Sequence, residues 1–104
     1  EAAALLRALP RPDPWQLGLA RQIEGVALVE LGDHALAIDA LTGALDLMIE
    51  ADAGESREAL ECMSRLSESY AAIGQDEAAR TWRSRRGVAA AKRARDGQGV
   101  GSQP

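Results

Sequence analysis

Two side chains are of the types that carry nucleophilic chemistry, His34 and Cys62, the only histidine and the only cysteine of the chain. A thiol becomes an effective nucleophile when a histidine takes its proton and a third group orients that histidine. The sequence suggests no such third group, so we predict no catalytic residues. We predict His34 to be an exposed first-turn helix residue and Cys62 to be a small hydrophobic residue between helices. A Cys–His site is the alternative, and it requires the two side chains to meet in space.

Three carboxylates recur at intervals of three residues, at Glu55, Glu58 and Glu61. They share one side of a predicted helix, where Arg57 and Arg65 stand near them. Neighbouring charges of opposite sign favour a solvated, ion-paired helix face over a metal site. The sequence also contains no glycine-rich phosphate loop, no paired-cysteine metal motif and no His-Glu-x-x-His motif. We therefore predict no metal and no cofactor.

Basic residues cluster near the carboxyl end of the chain. Residues 80–95 hold seven Lys and Arg and no acid, whereas residues 12–79 hold three Arg and fourteen acids. One interpretation is a basic patch that binds nucleic acid or an acidic partner, formed by Arg80, Arg83, Arg86, Lys92 and Arg93. The other is a terminal helix whose cations interact favourably with the carboxyl end of its dipole. Because the net charge is −4 and no recognition-helix motif is present, nucleic-acid binding is kept as the alternative function and is not the main prediction.

The composition predicts helices to position these residues. Hydrophobic residues make up 46% of the chain, and only Trp15, Tyr70 and Trp82 are aromatic. A core of alanine and leucine suits closely packed helices and suits a β-sandwich poorly. A single cysteine excludes an internal disulfide and indicates a reduced thiol. With no apolar run of membrane-spanning length and no visible signal peptide, we expect a cytoplasmic protein without membrane contact.

Proline, glycine and aspartate mark the ends of the predicted helices. Asp13 and Asp33 are good N-caps. Gly32, Gly54 and Gly74 are suited to ending helices. The resulting predictions are a short helix over residues 1–9, helices over residues 14–31, 34–53, 55–73 and 76–93, and a disordered tail over residues 96–104.

One glycine lies inside a predicted helix, Gly25. An internal glycine costs about 1 kcal/mol relative to alanine, so its presence needs a packing reason. We predict that Gly25 marks a point of close approach between two helices.

The predicted helix end at Gly32, followed at once by a helix start at Asp33, has a counterpart 42 residues later at Gly74. In both places the glycine is followed five residues later by an alanine, Ala37 in the first and Ala79 in the second. Two such copies predict a repeat of helical hairpins.

This pattern resembles the tetratricopeptide repeat, a helix–turn–helix unit with small and large apolar residues at fixed positions. The first copy carries the resemblance at Gly25, Leu28, Gly32, Asp33, Ala37, Leu41 and Ala44. The second copy carries it at Leu66, Ser67, Tyr70, Gly74 and Ala79. The 42-residue period is similar to the variant found in kinesin light chains and in large bacterial regulators. The composition, rich in Ala, Arg and Gly and poor in Lys, is typical of a high-GC bacterium.

The resemblance implies an all-α fold in which antiparallel helical hairpins stack as a short right-handed superhelix. A single domain would cover residues 1–95, with a partial helix over 1–9, one repeat over 14–53 and another over 55–95. An unrelated four-helix bundle is the alternative. Arg83 and Arg86 stand where the family prefers apolar residues, which indicates that the second repeat is the capping end of the array.

The resemblance also implies a concave groove lined by the first helix of each hairpin. Its lining would be Gln22, Val26, Val29, Glu30, Glu61, Arg65, Glu68 and Ala72. A mixed apolar and charged surface suits a peptide or a helix. The chain lacks the Lys/Arg clamp with which some family members hold a terminal carboxylate. Alternatively, residues 1–9 or a second copy of the chain cover Val26 and Val29.

The expected function is therefore a non-enzymatic protein–protein interaction module within a larger bacterial regulatory or scaffold protein. It would bind a peptide or helix in its groove, or self-associate. Because two repeats are close to the minimum for stability, a homodimer is a reasonable expectation. The alternative is a nucleic-acid-binding accessory domain of a transcriptional regulator that uses the basic last helix.

Overall fold

Helices account for nearly all of the chain that a computed structural model describes, residues 12–101, with side chains described through residue 97. The helices are α1 (Pro14–Glu30), α2 (His34–Glu50), α3 (Arg57–Ala72) and α4 (Asp76–Gly101). No strand occurs within these described residues. The all-α prediction is confirmed, and the predicted helix over residues 1–9 lies outside the described part.

Polar side chains cap the amino ends of the first three helices. The Asp13 carboxylate accepts a hydrogen bond from the Trp15 N–H at 3.0 Å. Asp33 caps α2 in the same way. The Ser56 hydroxyl oxygen accepts from the Ala59 N–H at 3.1 Å. These bonds satisfy donors that lack a partner within the helix, so each start is fixed by its own sequence.

The carboxyl ends of α1 and α3 share one geometry. Gly32 and Gly74 both adopt the left-handed conformation, with φ of 81° and 82°. The next N–H after each glycine then reaches back to the helix, from Asp33 to the Leu28 carbonyl at 2.9 Å and from Gln75 to the Tyr70 carbonyl at 2.9 Å. This is the Schellman motif, and glycine adopts it without a Cβ clash.

The end of α2 differs from the prediction that this helix runs to residue 53 and stops at Gly54. The same motif forms earlier, with Asp52 in the left-handed conformation at φ 58°. The Ala53 N–H donates to the Met48 carbonyl at 2.8 Å. Aspartate tolerates this conformation better than most residues, which is why the helix ends there without a glycine.

Replacing Asp52 with glycine should therefore raise the free energy of unfolding by about 1 kcal/mol, because a left-handed backbone costs a Cβ-bearing residue roughly 1–2 kcal/mol. The matched control is Gly74→Ala, which introduces that cost and should lower stability by a similar amount. Urea titration measures both values. A lower midpoint for Asp52→Gly would contradict this account of the helix end.

Helix α4 extends beyond the predicted end at residue 93, so the tail predicted over residues 96–104 does not begin at residue 96. The backbone is helical through Gly101. No proline lies between Asp76 and Gly101, and an internal glycine lowers helix propensity without blocking helical hydrogen bonds. Where α4 passes the loop between α2 and α3, Lys92 Nζ lies 3.3 Å from a Glu55 carboxylate oxygen. None of the described helices is both long enough and apolar enough to span a membrane.

The core is built from small and medium side chains, mainly of α2 and α3. Its buried members are Val29, Ala37, Leu41, Ala44, Leu45, Met48, Ala59, Cys62, Met63 and Leu66. Gly25 of α1 faces Leu41 so closely that a Cβ placed on it would lie 2.6 Å from the Leu41 Cγ. The predicted close approach at Gly25 is confirmed, and it lets α1 pack tightly on α2.

The helices contact one another in chain order, and one further contact joins α1 to α3. Short connections make consecutive helices antiparallel, so α1 and α3 run side by side in the same direction. Within the described residues α4 contacts α3 and neither α1 nor α2. The helices therefore follow one another in an open order, with the first and last of them apart.

Candidate functional site

The structure does not bring His34 and Cys62 together. The Nδ1 atom of His34 and the buried Ser69 hydroxyl share a hydrogen bond of 3.3 Å. Cys62 lies two helical turns before Ser69 on α3, a separation of about 10 Å along the axis. His34 packs against the end of α3 and is therefore half-buried. It is less exposed than predicted.

Cys62 is a buried core residue, as predicted. Burial, with smaller contributions from the carboxylates of Glu61 and Glu58, raises the pKa of its thiol to about 12. Near neutral pH the group remains a thiol, and the thiolate is the reactive form. The geometry therefore provides no activated nucleophile at this position.

The raised pKa of Cys62 predicts a pH dependence of stability. Because the unfolded thiol ionises near pH 9.0 and the folded thiol near pH 12, the folded state holds the proton longer in this window. The stability contribution is complete below pH 9.0 and is lost as the pH rises toward 12. Urea midpoints measured between pH 8 and pH 10.5 should fall more steeply for the native chain than for Cys62→Ala. Parallel curves would contradict the assignment.

The three carboxylates at Glu55, Glu58 and Glu61 form no metal centre. No group of three His, Cys, Asp or Glu side chains converges in the part of the chain that the structure describes. Glu61 accepts a hydrogen bond from Gln22 at 2.8 Å, and Glu55 pairs with Lys92. The expected partners Arg57 and Arg65 are not the ones used, because packing of neighbouring helices brings other side chains closer.

The α1 half of the predicted groove is rotated from its expected position. Gln22 and Val29 are buried, at 7% and 8% exposure, Val26 is half-buried and Glu30 is exposed. The Gln22 side-chain amide donates both to the Glu61 carboxylate and to the Glu58 carbonyl, the latter at 3.3 Å. Gln22 thus lies between α1 and α3, and Val29 belongs to the buried core.

Ile23 is the exposed apolar residue of this surface, and it was not among the predicted groove residues. Its side chain is 71% exposed. Gly18 and Gly25 lie on the side of α1 that packs on α2. With 3.6 residues per turn, Ile23 and Ala27 lie on the opposite side. The positions of the two glycines could have indicated which side of α1 is buried, and hence the rotation of the helix about its axis.

The α3 half of the predicted groove lies on one exposed face. Glu61, Glu68 and Ala72 are exposed and Arg65 is half-buried. Arg65 donates to the Glu68 carboxylate at 3.2 Å. The open surface of the two parallel helices, called the A-helix face below, is formed by Ile23, Ala27, Glu30, Glu61, Ser64, Arg65, Glu68 and Ala72.

Most of the predicted basic-patch residues lie along one side of α4. All of the predicted patch members, Arg80, Arg83, Arg86, Lys92 and Arg93, are exposed. At 100° per residue, Arg80, Arg83, Arg86 and Arg93 fall within an arc of about 140°, and Lys92 lies on another side. Lys92 pairs with Glu55, and Arg93 donates to the Glu55 carbonyl at 3.5 Å. The half-buried Trp82 packs against the core, as predicted.

Comparison of the chain with family models, with curated proteins and with solved structures finds no match. The residues and contacts described above are therefore the basis for assigning a function.

Proposed function

We propose that this chain is a tetratricopeptide-like interaction module that binds a peptide or helix across its A-helix face. The observation that carries the proposal is the open order of the helices, in which α1 and α3 are adjacent and α4 contacts α3 alone among the described helices. This order leaves one side of two parallel helices uncovered. The equivalent glycine turns at Gly32 and Gly74 support the repeat. The superhelix itself is part of the proposal.

The chemistry of the A-helix face favours an amphipathic partner with basic residues. Ile23 and Ala27 supply exposed apolar surface on α1. Around them the face carries the carboxylates of Glu30, Glu61 and Glu68 and the guanidinium of Arg65. Arg65 is paired with Glu68, so the face is acidic as a whole. A helix that presents one apolar stripe flanked by Lys or Arg would complement it.

The family resemblance suggests a setting in a larger bacterial regulator or scaffold protein, where such a face would hold another segment or subunit. Self-association through the same face is the competing use. A basic last helix that serves nucleic acid receives less support, because two of its cationic side chains bind Glu55 and the net charge of the chain is −4.

Selection of peptides from a random phage-displayed library tests this proposal. Fluorescence anisotropy then gives the Kd of each selected peptide for the native chain, for Ile23→Glu and for Glu68→Arg. We expect each change on the A-helix face to weaken binding at least tenfold, since it removes an apolar contact or inverts a charge. Selected peptides should be enriched in Lys or Arg together with large apolar residues.

The control variant is Asp46→Arg, an exposed charge reversal on α2 that lies outside the A-helix face. Its binding should equal that of the native chain. If no peptide is selected, or if Asp46→Arg weakens binding as much as Glu68→Arg does, the A-helix face is not the binding surface.

A further inference from the structure

Helix α4 has an exposed side that no other described helix covers. Ala79 is fully buried and Ala89 packs against the core, so these residues mark the side that faces α3. At 100° per residue, Ser84, Val88 and Ala91 fall on the opposite side. All three are exposed, and Val88 is 70% exposed. The helix therefore presents a stripe of small and apolar residues away from α3.

Cationic side chains accompany this stripe. By helical position Arg85 lies on one side of it, Arg80 lies on the other, and Arg95 continues it toward the carboxyl end. The Arg85 guanidinium lies over the Trp82 ring, 4.8 Å from its centroid, an arrangement that favours a defined position for this cation. Neither of the ion pairs found among the described residues involves these three arginines. The α4 outer face, as it is called below, is formed by Arg80, Ser84, Arg85, Val88, Ala91 and Arg95.

The α4 outer face has the chemistry that the A-helix face requires of a partner. The A-helix face places the exposed Ile23 among carboxylates, including those of Glu30 and Glu68. The α4 outer face places the exposed Val88 among arginines. Apolar contact and charge attraction can therefore occur together when the two faces meet. Their lengths also agree, since residues 80–95 of a helix span about 24 Å and the 17 residues of α1 span about 26 Å.

The charges of whole helices follow the same pattern. Residues 14–50, which form α1, α2 and the turn between them, hold six acids and one Arg, whereas residues 80–95 hold seven Lys and Arg and no acid. This asymmetry favours an approach in which the carboxyl end of one chain meets the amino-terminal hairpin of another. Within one chain α4 contacts neither α1 nor α2, and its outer face is turned away from α3, so the two faces of a single chain do not meet.

We propose that the α4 outer face of one copy binds the A-helix face of a second copy of this chain. The inference rests on the proposed function of the A-helix face as a helix-binding surface, and it names the partner. The contact joins two different surfaces, so each dimer keeps one A-helix face and one α4 outer face free for further copies. Two A-helix faces in contact with each other would instead bring like charges together, which is unfavourable.

Two charge reversals in the whole chain, studied by sedimentation velocity at low salt, test this inference. Glu68→Arg alters the A-helix face and Arg85→Glu alters the α4 outer face. Each should weaken self-association at least tenfold, because each brings like charges together in the contact. Mixed in equal amounts, the two variants should associate with the native Kd, since one retains an intact A-helix face and the other an intact α4 outer face. Added salt should weaken association of the native chain, because it screens exposed charges.

The matched controls are charge reversals at exposed positions outside the two faces. Arg86→Glu changes the same residue type on the opposite side of α4, and Asp46→Arg changes a carboxylate of α2. Both should associate as the native chain does. Equal weakening by Arg86→Glu and Arg85→Glu would overturn the assignment of the α4 outer face.

Three further outcomes would overturn the inference. The first is a native chain that stays monomeric from micromolar to millimolar concentration. The second is an oligomer that Glu68→Arg disrupts and Arg85→Glu leaves intact, which indicates contact between two A-helix faces. The third is a mixture of the two variants that associates no better than either variant alone.

The library-selected peptides separate failure of this inference from failure of the proposed function. They should bind Arg85→Glu at least as tightly as they bind the native chain, because the A-helix face of this variant is intact and no second copy competes for it. Peptide binding without self-association would overturn the present inference alone. The absence of both would overturn the proposed function as well.

Discussion

Replacing Leu41 with alanine is expected to lower the free energy of unfolding by about 2–5 kcal/mol. Leu41 is fully buried at the contact between α1 and α2, and its Cγ and Cδ2 atoms fill the space opposite Gly25. Removing these atoms takes away buried apolar surface and leaves a cavity that the short side chains of the surrounding core cannot fill. Urea or thermal unfolding of the purified chain measures the loss.

Leu36→Ala is the matched control for Leu41→Ala. It removes the same atoms from the same helix at a position that is 55% exposed. Its cost should remain below about 1 kcal/mol, because less apolar surface is buried there. Equal costs for the two variants would contradict the placement of the core.

The second large effect is expected at Gly25. A Cβ at this position would meet the side chain of the fully buried Leu41 at 2.6 Å. Gly25→Ala should therefore lower the free energy of unfolding by about 1–3 kcal/mol, even though alanine is the better helix former. Gly87 of α4 provides the same substitution where no atom lies within 4 Å of the added Cβ. Gly87→Ala should raise stability by up to about 1 kcal/mol.

Combining the two changes tests whether they act on one contact. In the Leu41→Ala background, the methyl group of Gly25→Ala enters the space that leucine vacated. The double variant should therefore be more stable than the sum of the single losses predicts. Strict additivity, or a Gly25→Ala variant as stable as Gly87→Ala, would show that α1 does not approach α2 at Gly25.

The sequence predicted the helix ends where a local signal decides them. Asp13 and Asp33 supply caps, and Gly32 and Gly74 supply left-handed residues, so their effects depend on neighbours within a few positions. The predicted end of α2 was wrong because Asp52 adopts the left-handed conformation, which glycine adopts more readily. The predicted end of α4 was wrong because glycines lower the helix propensity of a segment but do not end the helix at a particular residue.

The rotation of α1 was the part of the candidate site that helical periodicity did not determine. Apolar residues surround this helix, so the apolar pattern alone does not indicate which side is buried. A buried hydrogen-bonded glutamine, Gln22, took a position that hydrophobicity would assign to the surface. The exposed face of α3 was easier to predict, since Glu61, Arg65 and Glu68 mark its solvent side by their charges.

The partners of individual charges depend on helix packing and could not be read from spacing along one helix. Glu61 is four residues before Arg65, yet it binds Gln22 of α1. Arg65 pairs instead with Glu68. Pairs of this kind on one helix contribute only a few tenths of a kcal/mol, so a contact from a neighbouring helix readily replaces them.

The adjacency of α1 and α3, with α4 on the far side of α3, is the basis of the proposed binding face. Nuclear Overhauser effects in solution measure it directly. We predict that the side-chain amide protons of Gln22 show effects to Glu58 and Glu61 of α3, and that the indole protons of Trp82 show effects to α3 and none to α1. Effects between the Trp82 indole and α1 side chains would indicate a closed four-helix bundle and would contradict the open array.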